Sequence, residues 1–329
     1  MFTLKRLQDG LRILHPRGLP LDDPQWTSAT KAVWIGGCGR SGTTLLRVML
    51  GAHSALYAGP ELNVHVNLRT ILERMPALVP RRAYQLYDRG IIKELSSKFD
   101  VDERDVVRIR DASGSLAEFV DRFLTEAAHK HGKERWIEKT PKNIEIVDYL
   151  FRHFPSSYFI HMIRDGRDVA CSLRHHPKYM RRNGVLVRTN ISNSIESCID
   201  RWVRDVNLGL AHRDDKRYME VRYFSLLDDT RGELEKICDF IGVPFEEQML
   251  SYDKKNSYKA KVEHFKPSER ALKAPDTSRV GRWQKDLSYE EACTIEERAG
   301  SLLRALGYTK DGKWVEALRH PELSENSRM

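Results

Sequence analysis

The chain of 329 residues is long enough to bury the core of one large α/β domain or of two smaller ones. With 40% hydrophobic and 31% charged residues, its composition is that of an ordinary globular enzyme. The net charge of +8 suits a small anionic ligand at least as well as a nucleic acid. No basic segment alternates with stacking aromatic residues, so we expect no nucleic-acid partner.

The five cysteines are scattered along the chain, and none forms a C-x-x-C pair. Neither a zinc site nor a disulfide framework is therefore indicated, and unpaired thiols are typical of the cytosol. The N-terminal sequence has no apolar run of the length that a signal peptide or a membrane anchor requires. On these grounds we expect a soluble cytoplasmic protein without a membrane partner.

Predicted strands and helices alternate along the chain. An irregular lead-in over 1–28 is followed by a first strand at Ala32–Ile35. One domain is predicted over 29–308, with a mostly helical insert at about 62–131, and a polar tail that frays follows over 309–329. The alternation predicts an α/β fold, a single P-loop-like domain whose central parallel sheet is flanked by helices on both faces.

Local signals add further elements to this outline. Capping boxes at Ser115 and Ser288 predict two helix starts, Asn143 is expected to cap a third helix, and Gly242 to end a fourth. Apolar patterns predict strands at 135–138, 158–163 and 218–224 and a long helix at 194–211. Ligands of parallel α/β sheets bind at the C-terminal ends of the strands, so we expect the site in the loops after residues 35, 138, 163 and 224.

The sequence of the first of these loops nearly matches the nucleotide-binding P-loop motif. Glycines lead into Ser41-Gly42-Thr43-Thr44, whose amides and hydroxyls can face an anion at the start of a helix. The P-loop lysine is missing, because Thr43 occupies its position, and Arg40 supplies a positive charge from within the loop instead. The loop therefore predicts a cradle for a phosphate-like anion.

A second strand, turn and helix start runs through Ile163 to Leu173. Arg164 lies at the strand tip, and Ser172 lies about two turns into a helix that begins near Gly166, so both could converge on a second phosphate. Asp165 resembles the magnesium-holding acid of nucleoside triphosphatases. A P-loop kinase or nucleotidase therefore stays open as an alternative, as does an inactive nucleotide-binding module.

The sequence GRSGTTLL, together with Arg164 and Ser172, resembles the sulfotransferases that use 3'-phosphoadenosine 5'-phosphosulfate (PAPS). In motif layout it is most similar to the tyrosylprotein sulfotransferases. The resemblance implies that the first loop holds the 5'-phosphosulfate, and that Arg164 and Ser172 hold the 3'-phosphate. The residues it implies for donor binding are Arg40, Ser41, Gly42, Thr43, Thr44, Arg164, Ser172, Tyr223 and Lys273.

The same resemblance implies three catalytic residues, Glu61 in Gly-Pro-Glu, Lys139 in Glu-Lys-Thr-Pro, and Arg40. Sulfuryl transfer places negative charge on the leaving phosphate, which Arg40 and Lys139 can stabilise. The acceptor hydroxyl must lose its proton, and Glu61 is the expected general base. We expect no metal, because phosphosulfate carries less charge than a triphosphate terminus. The acceptor is expected to be a hydroxyl of a small molecule, carbohydrate or peptide.

The sequence departs from the tyrosylprotein group in the acceptor region. Asn63 and Asn67 stand where that group has arginines that engage acidic peptides, and the N-terminal anchor of that secretory-pathway group is not recognisable. An acidic tyrosine peptide is therefore not the expected acceptor. We expect the basic stretch His175–Arg188 to be a solvated loop, with contact to an acidic acceptor as the alternative. Its adjacent histidines, His175 and His176, offer only a weak alternative base.

Overall fold

The computed structural model describes residues 19–20, 25–63, 82–83, 89–175, 178–182, 185–189, 192–252 and 277–319. The described strands are β1 (Leu19–Pro20), β2 (Val33–Gly36), β3 (Leu56–Ala58), β4 (Arg82–Ala83), β5 (Arg135–Lys139), β6 (Tyr158–Ile163), β7 (Lys178–Arg182), β8 (Val185–Thr189) and β9 (Tyr218–Arg222). Five of these, in the order β3-β5-β2-β6-β9, form a parallel sheet, and the pairs β1–β4 and β7–β8 are antiparallel.

Helices surround this sheet in the described part of the chain. They are α1 (Thr43–Gly51), α2 (Arg89–Phe99), α3 (Glu103–Asp111), α4 (Leu116–Lys130), α5 (Val147–His153), α6 (Gly166–Arg174), α7 (Ile195–Leu210), α8 (Tyr223–Asp228), α9 (Thr230–Ile241), α10 (Trp283–Asp286), α11 (Tyr289–Ala305) and α12 (Glu316–Arg319). Short 3-10 helices lie at Pro141–Glu145, Glu247–Ser251, Thr277–Arg279 and Gly312–Trp314.

The sheet is buried on both faces because its strands are apolar at successive positions. On β2, Trp34 packs with Trp136 of β5 and with Phe154, in a core that α4 and α5 complete. Val33 and Ile35 of the same strand join the opposite core, which contains residues of α1 and α9. Alternate side chains of a strand point to opposite faces, so each strand contributes to both cores. The predicted parallel α/β fold with helices on both faces is confirmed.

Several predicted boundaries also agree with the structure. Ser115 caps α4, and Ser288 forms a capping box with Glu291 at the start of α11. Gly242 ends α9 in a left-handed conformation with φ of 71°. The strand at 158–163 has the predicted bounds, and the helix predicted at 194–211 is α7, Ile195–Leu210. The predicted domain limits stay a prediction.

Three local predictions are wrong. Asn143 does not cap a helix but lies in the 3-10 helix before α5, and its buried amide donates to the Ile35 carbonyl. Tyr223 is not in a strand, because β9 ends at Arg222 and α8 begins at Tyr223. The tail does not fray directly after residue 309: Trp314 is buried against Trp283, with ring centroids 5.2 Å apart.

Candidate functional site

All five strands of the parallel sheet end at one edge, and the predicted site residues lie there. In sheet order from β3 to β9, the residues at or after the strand ends are Glu61, Lys139, the loop 37–42, Arg164 and Tyr223. This is the edge at which parallel α/β sheets bind ligands. The predicted catalytic acid and lysine therefore lie on one side of the glycine-rich loop, and two predicted donor-binding residues lie on its other side.

The loop between β2 and α1 has an unusual backbone. Gly37, Arg40 and Gly42 have φ of 139°, 76° and 97°, in the region that favours glycine. A Cβ atom on Gly42 would overlap the ring of Tyr223, so the close approach also requires glycine. Arg40 adopts a left-handed conformation in spite of its side chain. The loop thus holds a guanidinium where a glycine would be free of strain.

Helix α1 begins at Thr43, directly after this loop, so the free amides of its first turn face the loop. Ser41 is fully buried, and within the described residues its hydroxyl has no hydrogen-bond partner. Leaving a buried hydroxyl unpaired costs about 1–3 kcal/mol. An anion oxygen in the loop would provide that partner. The loop is therefore built to hold a phosphate- or sulfate-type anion.

Arg40 connects the loop to the second predicted phosphate element. Its Nε donates to the hydroxyl of Ser172 in α6 at 3.0 Å. Arg164 in turn reaches the carbonyl of Arg40 with Nη1 at 3.5 Å. The structure thus brings Arg164 and Ser172, the two residues predicted for a second anion position, together with Arg40 of the first loop.

Arg164 is held in a fixed orientation by its surroundings. Its Nη2 donates to Asp168 at 3.3 Å and to the carbonyl of Arg279 at 2.5 Å, and its guanidinium lies 4.6 Å from the ring centroid of Tyr223. Asp168 also accepts hydrogen bonds from the amides of Gly281 and Trp283. Burial raises the pKa of Asp168, whereas the nearby Arg164 lowers it. The sequence analysis missed Asp168, although its position four residues after Arg164 at a helix start was a usable signal.

On the other side of the loop, Lys139 bridges the anion cradle and the predicted base. Its Nζ donates to the Thr44 hydroxyl at 3.2 Å and forms an ion pair with the carboxylate of Glu61. The Lys139 side chain is 2% exposed and that of Glu61 is 39% exposed. Lys139 is therefore enclosed beside the loop, while the carboxylate of Glu61 can be reached from solvent.

The pKa of Lys139 is lowered from its ordinary value, chiefly because burial disfavours the ammonium. Glu61 and Glu138 act in the opposite direction, and the neighbouring Arg47 lowers the pKa further. The lysine is therefore closer to neutrality than a surface lysine. It can also be stabilised as a cation by any additional negative charge that enters the loop.

The remaining predicted groups are placed as follows. Asp165 caps α6 and forms an ion pair with Arg167, so its carboxylate is already engaged. Lys273 and His176 lie outside the described residues. The stretch predicted as a solvated loop at 175–188 instead contains the antiparallel strands β7 and β8. Among the described residues, no cluster of three or more histidine, cysteine or acidic side chains could hold a metal ion.

A parallel α/β sheet with a P-loop-like anion cradle and no P-loop lysine fits the class of transferases whose donor carries a phosphate or sulfate group. Comparison with known proteins gives the family. A sequence model described as the sulfotransferase family matches residues 32–247. The chain belongs to the sulfotransferase family, and the predicted sulfotransferase is confirmed.

Two relatives show which sulfotransferases the chain is similar to. It is 24% identical over 298 residues to protein-tyrosine sulfotransferase A of Caenorhabditis elegans, a match that covers 87% of this chain and 69% of the worm protein. It is 25% identical over 289 residues to the Drosophila melanogaster protein-tyrosine sulfotransferase, covering 84% of this chain. The match spans only 51% of the Drosophila protein, about half of its length. The resemblance to the tyrosylprotein group is confirmed.

A solved structure supports the fold. The sulfotransferase domain of the olefin synthase from Synechococcus PCC 7002 superposes with a TM-score of 0.57 at 20% identity, covering 84% of this chain and 97% of that domain. At this identity the match concerns the fold, which is the P-loop-like sulfotransferase fold.

The predicted cytoplasmic location is wrong on this comparison, because the relatives are protein-tyrosine sulfotransferases, a group of the secretory pathway. Four of the five cysteines are buried, and a buried unpaired thiol is inert in either compartment. The unpaired cysteines were therefore not evidence for a cytoplasmic location. As for the membrane, no helix in the described ranges has the length and apolar character needed to cross one.

Proposed function

We propose that this protein transfers a sulfuryl group from PAPS to an acceptor hydroxyl, with Glu61 as general base. One observation carries the proposal: Glu61 follows β3 and Lys139 ends β5 on one side of the anion loop, and Arg164 follows β6 on the other. A donor with two anionic groups would extend across this row of residues.

The residues present fit such a donor. The unpaired Ser41 hydroxyl and the amides at the start of α1 would hold the phosphosulfate, with Thr43, Thr44 and Arg40 around it. Arg164 and Ser172 would hold the 3'-phosphate, beside Tyr223. When bound, PAPS supplies an activated sulfuryl group and a phosphate leaving group.

In the transfer step, the acceptor oxygen forms a bond to sulfur as the bond from sulfur to the bridging phosphate oxygen breaks. Arg40 and Lys139 stabilise the negative charge that develops on the leaving phosphate. The proton of the acceptor hydroxyl passes to Glu61. Because a carboxylate accepts several hydrogen bonds, Glu61 can stay paired with Lys139 while it faces the acceptor.

We infer that a tyrosine hydroxyl is the first acceptor to test, since the relatives are named for that activity. Asn63, two residues after Glu61, has φ of 58° and carries no charge. The position therefore offers no positive charge to an acidic acceptor. Asn67 lies outside the described residues. The proposed acceptor is a tyrosine without a requirement for acidic neighbours.

The test is transfer of labelled sulfuryl from PAPS to peptides that contain tyrosine in neutral and in acidic contexts, with phenols and sugars in parallel. Glu61→Gln should retain the affinity for adenosine 3',5'-bisphosphate and lose turnover by about 10²–10⁴-fold. The matched control is Glu297→Gln, an exposed carboxylate of α11, which should leave both unchanged. Tighter binding of ATP with magnesium than of the bisphosphate would contradict the proposal, and bisphosphate binding without any labelled acceptor would favour the inactive module.

A further inference from the structure

The short segment that carries Glu61 is held at both ends by buried charged side chains. Before Glu61, the carbonyl of Gly59 accepts a hydrogen bond from Nη1 of Arg47 at 2.7 Å. After it, the amide of Leu62 donates to Oε1 of Glu138 at 3.0 Å. Arg47 belongs to α1 and Glu138 to β5, so two different elements fix the same four residues.

Glu138 is 2% exposed and is surrounded by donors. Besides Leu62, the Thr140 hydroxyl donates to its Oε1 at 2.7 Å and the Asn143 amide to its Oε2 at 2.5 Å. These hydrogen bonds favour the carboxylate, although burial raises its pKa. Asn143 also donates to the carbonyl of Ile35, in the strand that leads into the anion loop. One carboxylate thus connects the Glu61 segment with the base of the loop.

Burying a charge is costly, and apolar side chains of similar size often stabilise a fold as well as a buried ionic group does. Arg47 is 6% exposed, so this small region encloses one positive and one negative group close to Glu61 and Lys139. Their hydrogen bonds go to the backbone on either side of Glu61. Such a pair can determine where the Glu61 carboxylate lies relative to Lys139, and so to the anion loop.

We propose that Arg47 and Glu138 are positioning residues, a clamp that holds the Gly59–Leu62 segment so that Glu61 faces the acceptor beside Lys139. The inference rests on the proposed function of Glu61 as general base. Neither side chain needs to touch the donor or the acceptor. The clamp acts on turnover through Glu61 and leaves unchanged the donor affinity, which depends on the anion loop and on Arg164 and Ser172.

The test is a double-mutant cycle between Glu138→Met and Glu61→Gln. Methionine keeps the length of the side chain and removes the acceptors of Leu62, Thr140 and Asn143. Alone, Glu138→Met should lower kcat by about 10- to 100-fold, as expected for a misplaced catalytic group. In the Glu61→Gln background it should lower kcat by less than about 2-fold, because the residue on which it acts is already disabled. The Kd for adenosine 3',5'-bisphosphate should stay within about 2-fold throughout.

If Glu138 had a purely structural role, Glu138→Met would lower kcat by the same factor in the parent and in the Glu61→Gln variant. That result would overturn the proposal. Glu138→Gln retains one acceptor oxygen and should restore part of the lost turnover; it also replaces Glu138→Met in the cycle if the methionine variant does not fold. Asp121→Asn is the matched control. Asp121 is a partly buried carboxylate that accepts a hydrogen bond from Ser28, and its substitution should leave kcat unchanged.

Hydrogen exchange separates failure of the clamp from failure of the proposed function. The Leu62 amide should be protected in the parent protein and should exchange faster in Glu138→Met, irrespective of any activity. Unchanged protection would refute the clamp even in an active enzyme. A parent protein that transfers no sulfuryl group, yet shows the predicted change at Leu62, would instead refute the general-base function on which the positioning role rests.

Discussion

Arg40 donates from Nε to the hydroxyl of Ser172 at 3.0 Å, and this contact joins the anion loop to helix α6, 132 positions further along the chain. A single guanidinium therefore lies between the two anion positions proposed for the donor. Arg40 can stabilise the reacting phosphosulfate while the hydrogen bond to Ser172 keeps the Arg40 guanidinium oriented.

Removing the Ser172 hydroxyl should weaken donor binding. Ser172→Ala should raise the Kd for adenosine 3',5'-bisphosphate by about 10-fold or more, since a hydrogen bond to a charged group contributes about 1.5–3 kcal/mol. Titration calorimetry measures the effect. Ser197→Ala is the control, since the Ser197 hydroxyl donates to the Ser194 carbonyl at the exposed start of α7. An unchanged affinity in Ser172→Ala would remove the serine from the donor site.

The lowered pKa of Lys139 predicts a pH dependence of turnover. The groups around its ammonium are Glu61, Arg47 and Glu138, and burial is the dominant influence. As the pH rises through this lowered pKa, Lys139 of the free enzyme loses its proton and with it the stabilisation of the leaving phosphate, so kcat/KM for the donor should fall at a pH below the ordinary lysine value of 10.5.

A lysine-to-arginine change identifies the group responsible for that decline. Arginine stays protonated over the whole range, so Lys139→Arg should be slower than the parent but should lack the alkaline decline in kcat/KM. The measurement is the pH profile of kcat/KM for the donor, taken at donor concentrations below KM. Retention of the same alkaline decline in Lys139→Arg would assign it to another group.

Two glycines with positive φ allow a matched comparison of steric effects. A Cβ on Gly42 would overlap the Tyr223 ring, whereas a Cβ on Gly132 would have nothing within 4 Å. Both variants should lose about 1–2 kcal/mol of folding stability to backbone strain. Gly42→Ala should in addition displace Tyr223 and raise the Kd for the bisphosphate by at least about 10-fold. Gly132→Ala should show the strain alone as a lower Tm. Equal effects of the two changes would argue against the packing of Tyr223 on the loop.

His161 predicts a dependence of folding stability on pH. It is fully buried, and its Nδ1 lies 2.5 Å from the Tyr218 hydroxyl. Burial, together with the nearby Arg222 and Arg213, lowers its pKa to about 3. Between pH 6.5 and about 3 the unfolded chain binds a proton that the native state excludes, so this residue makes the free energy of unfolding fall as the pH falls.

Comparison with a variant isolates that contribution from the carboxylates that titrate in the same range. The difference in unfolding free energy between the parent and His161→Gln should change by up to about 1.4 kcal/mol per pH unit below pH 6.5 and should be constant above it. Urea titrations at several pH values provide the measurement. Parallel curves for the two proteins over the whole range would show that His161 is not held neutral.

Much of the architecture could be predicted because its signals are local. The apolar strand before Gly37 and the spacing from Arg164 to Ser172 are short-range patterns, and the parallel sheet then brings them to one edge. The Asn143 prediction failed because a tertiary contact decided it, since the asparagine amide donates to the carbonyl of Ile35, 108 positions away. Trp314 was assigned to a frayed tail because its partner Trp283 and the guanidinium of Arg167 come from distant segments.

The site was predicted less completely than the fold for a related reason. Glu61, Lys139 and Arg164 belong to motifs that resemble a known family, so their types and spacing were visible in the sequence. Asp168, Arg47 and Glu138 act through buried hydrogen bonds to backbone groups, and nothing in a residue type shows which amide or carbonyl it will meet. Lys273 stays a prediction.

The left-handed conformation of Arg40 has a consequence for how this enzyme could be stabilised. A glycine at this position would adopt the φ of 76° without strain. A residue with a Cβ atom, such as arginine, incurs about 1–2 kcal/mol of strain there. On the proposed role of Arg40, a change to glycine would therefore gain stability and lose turnover. Position 40 is then a point at which stability and activity favour different residues.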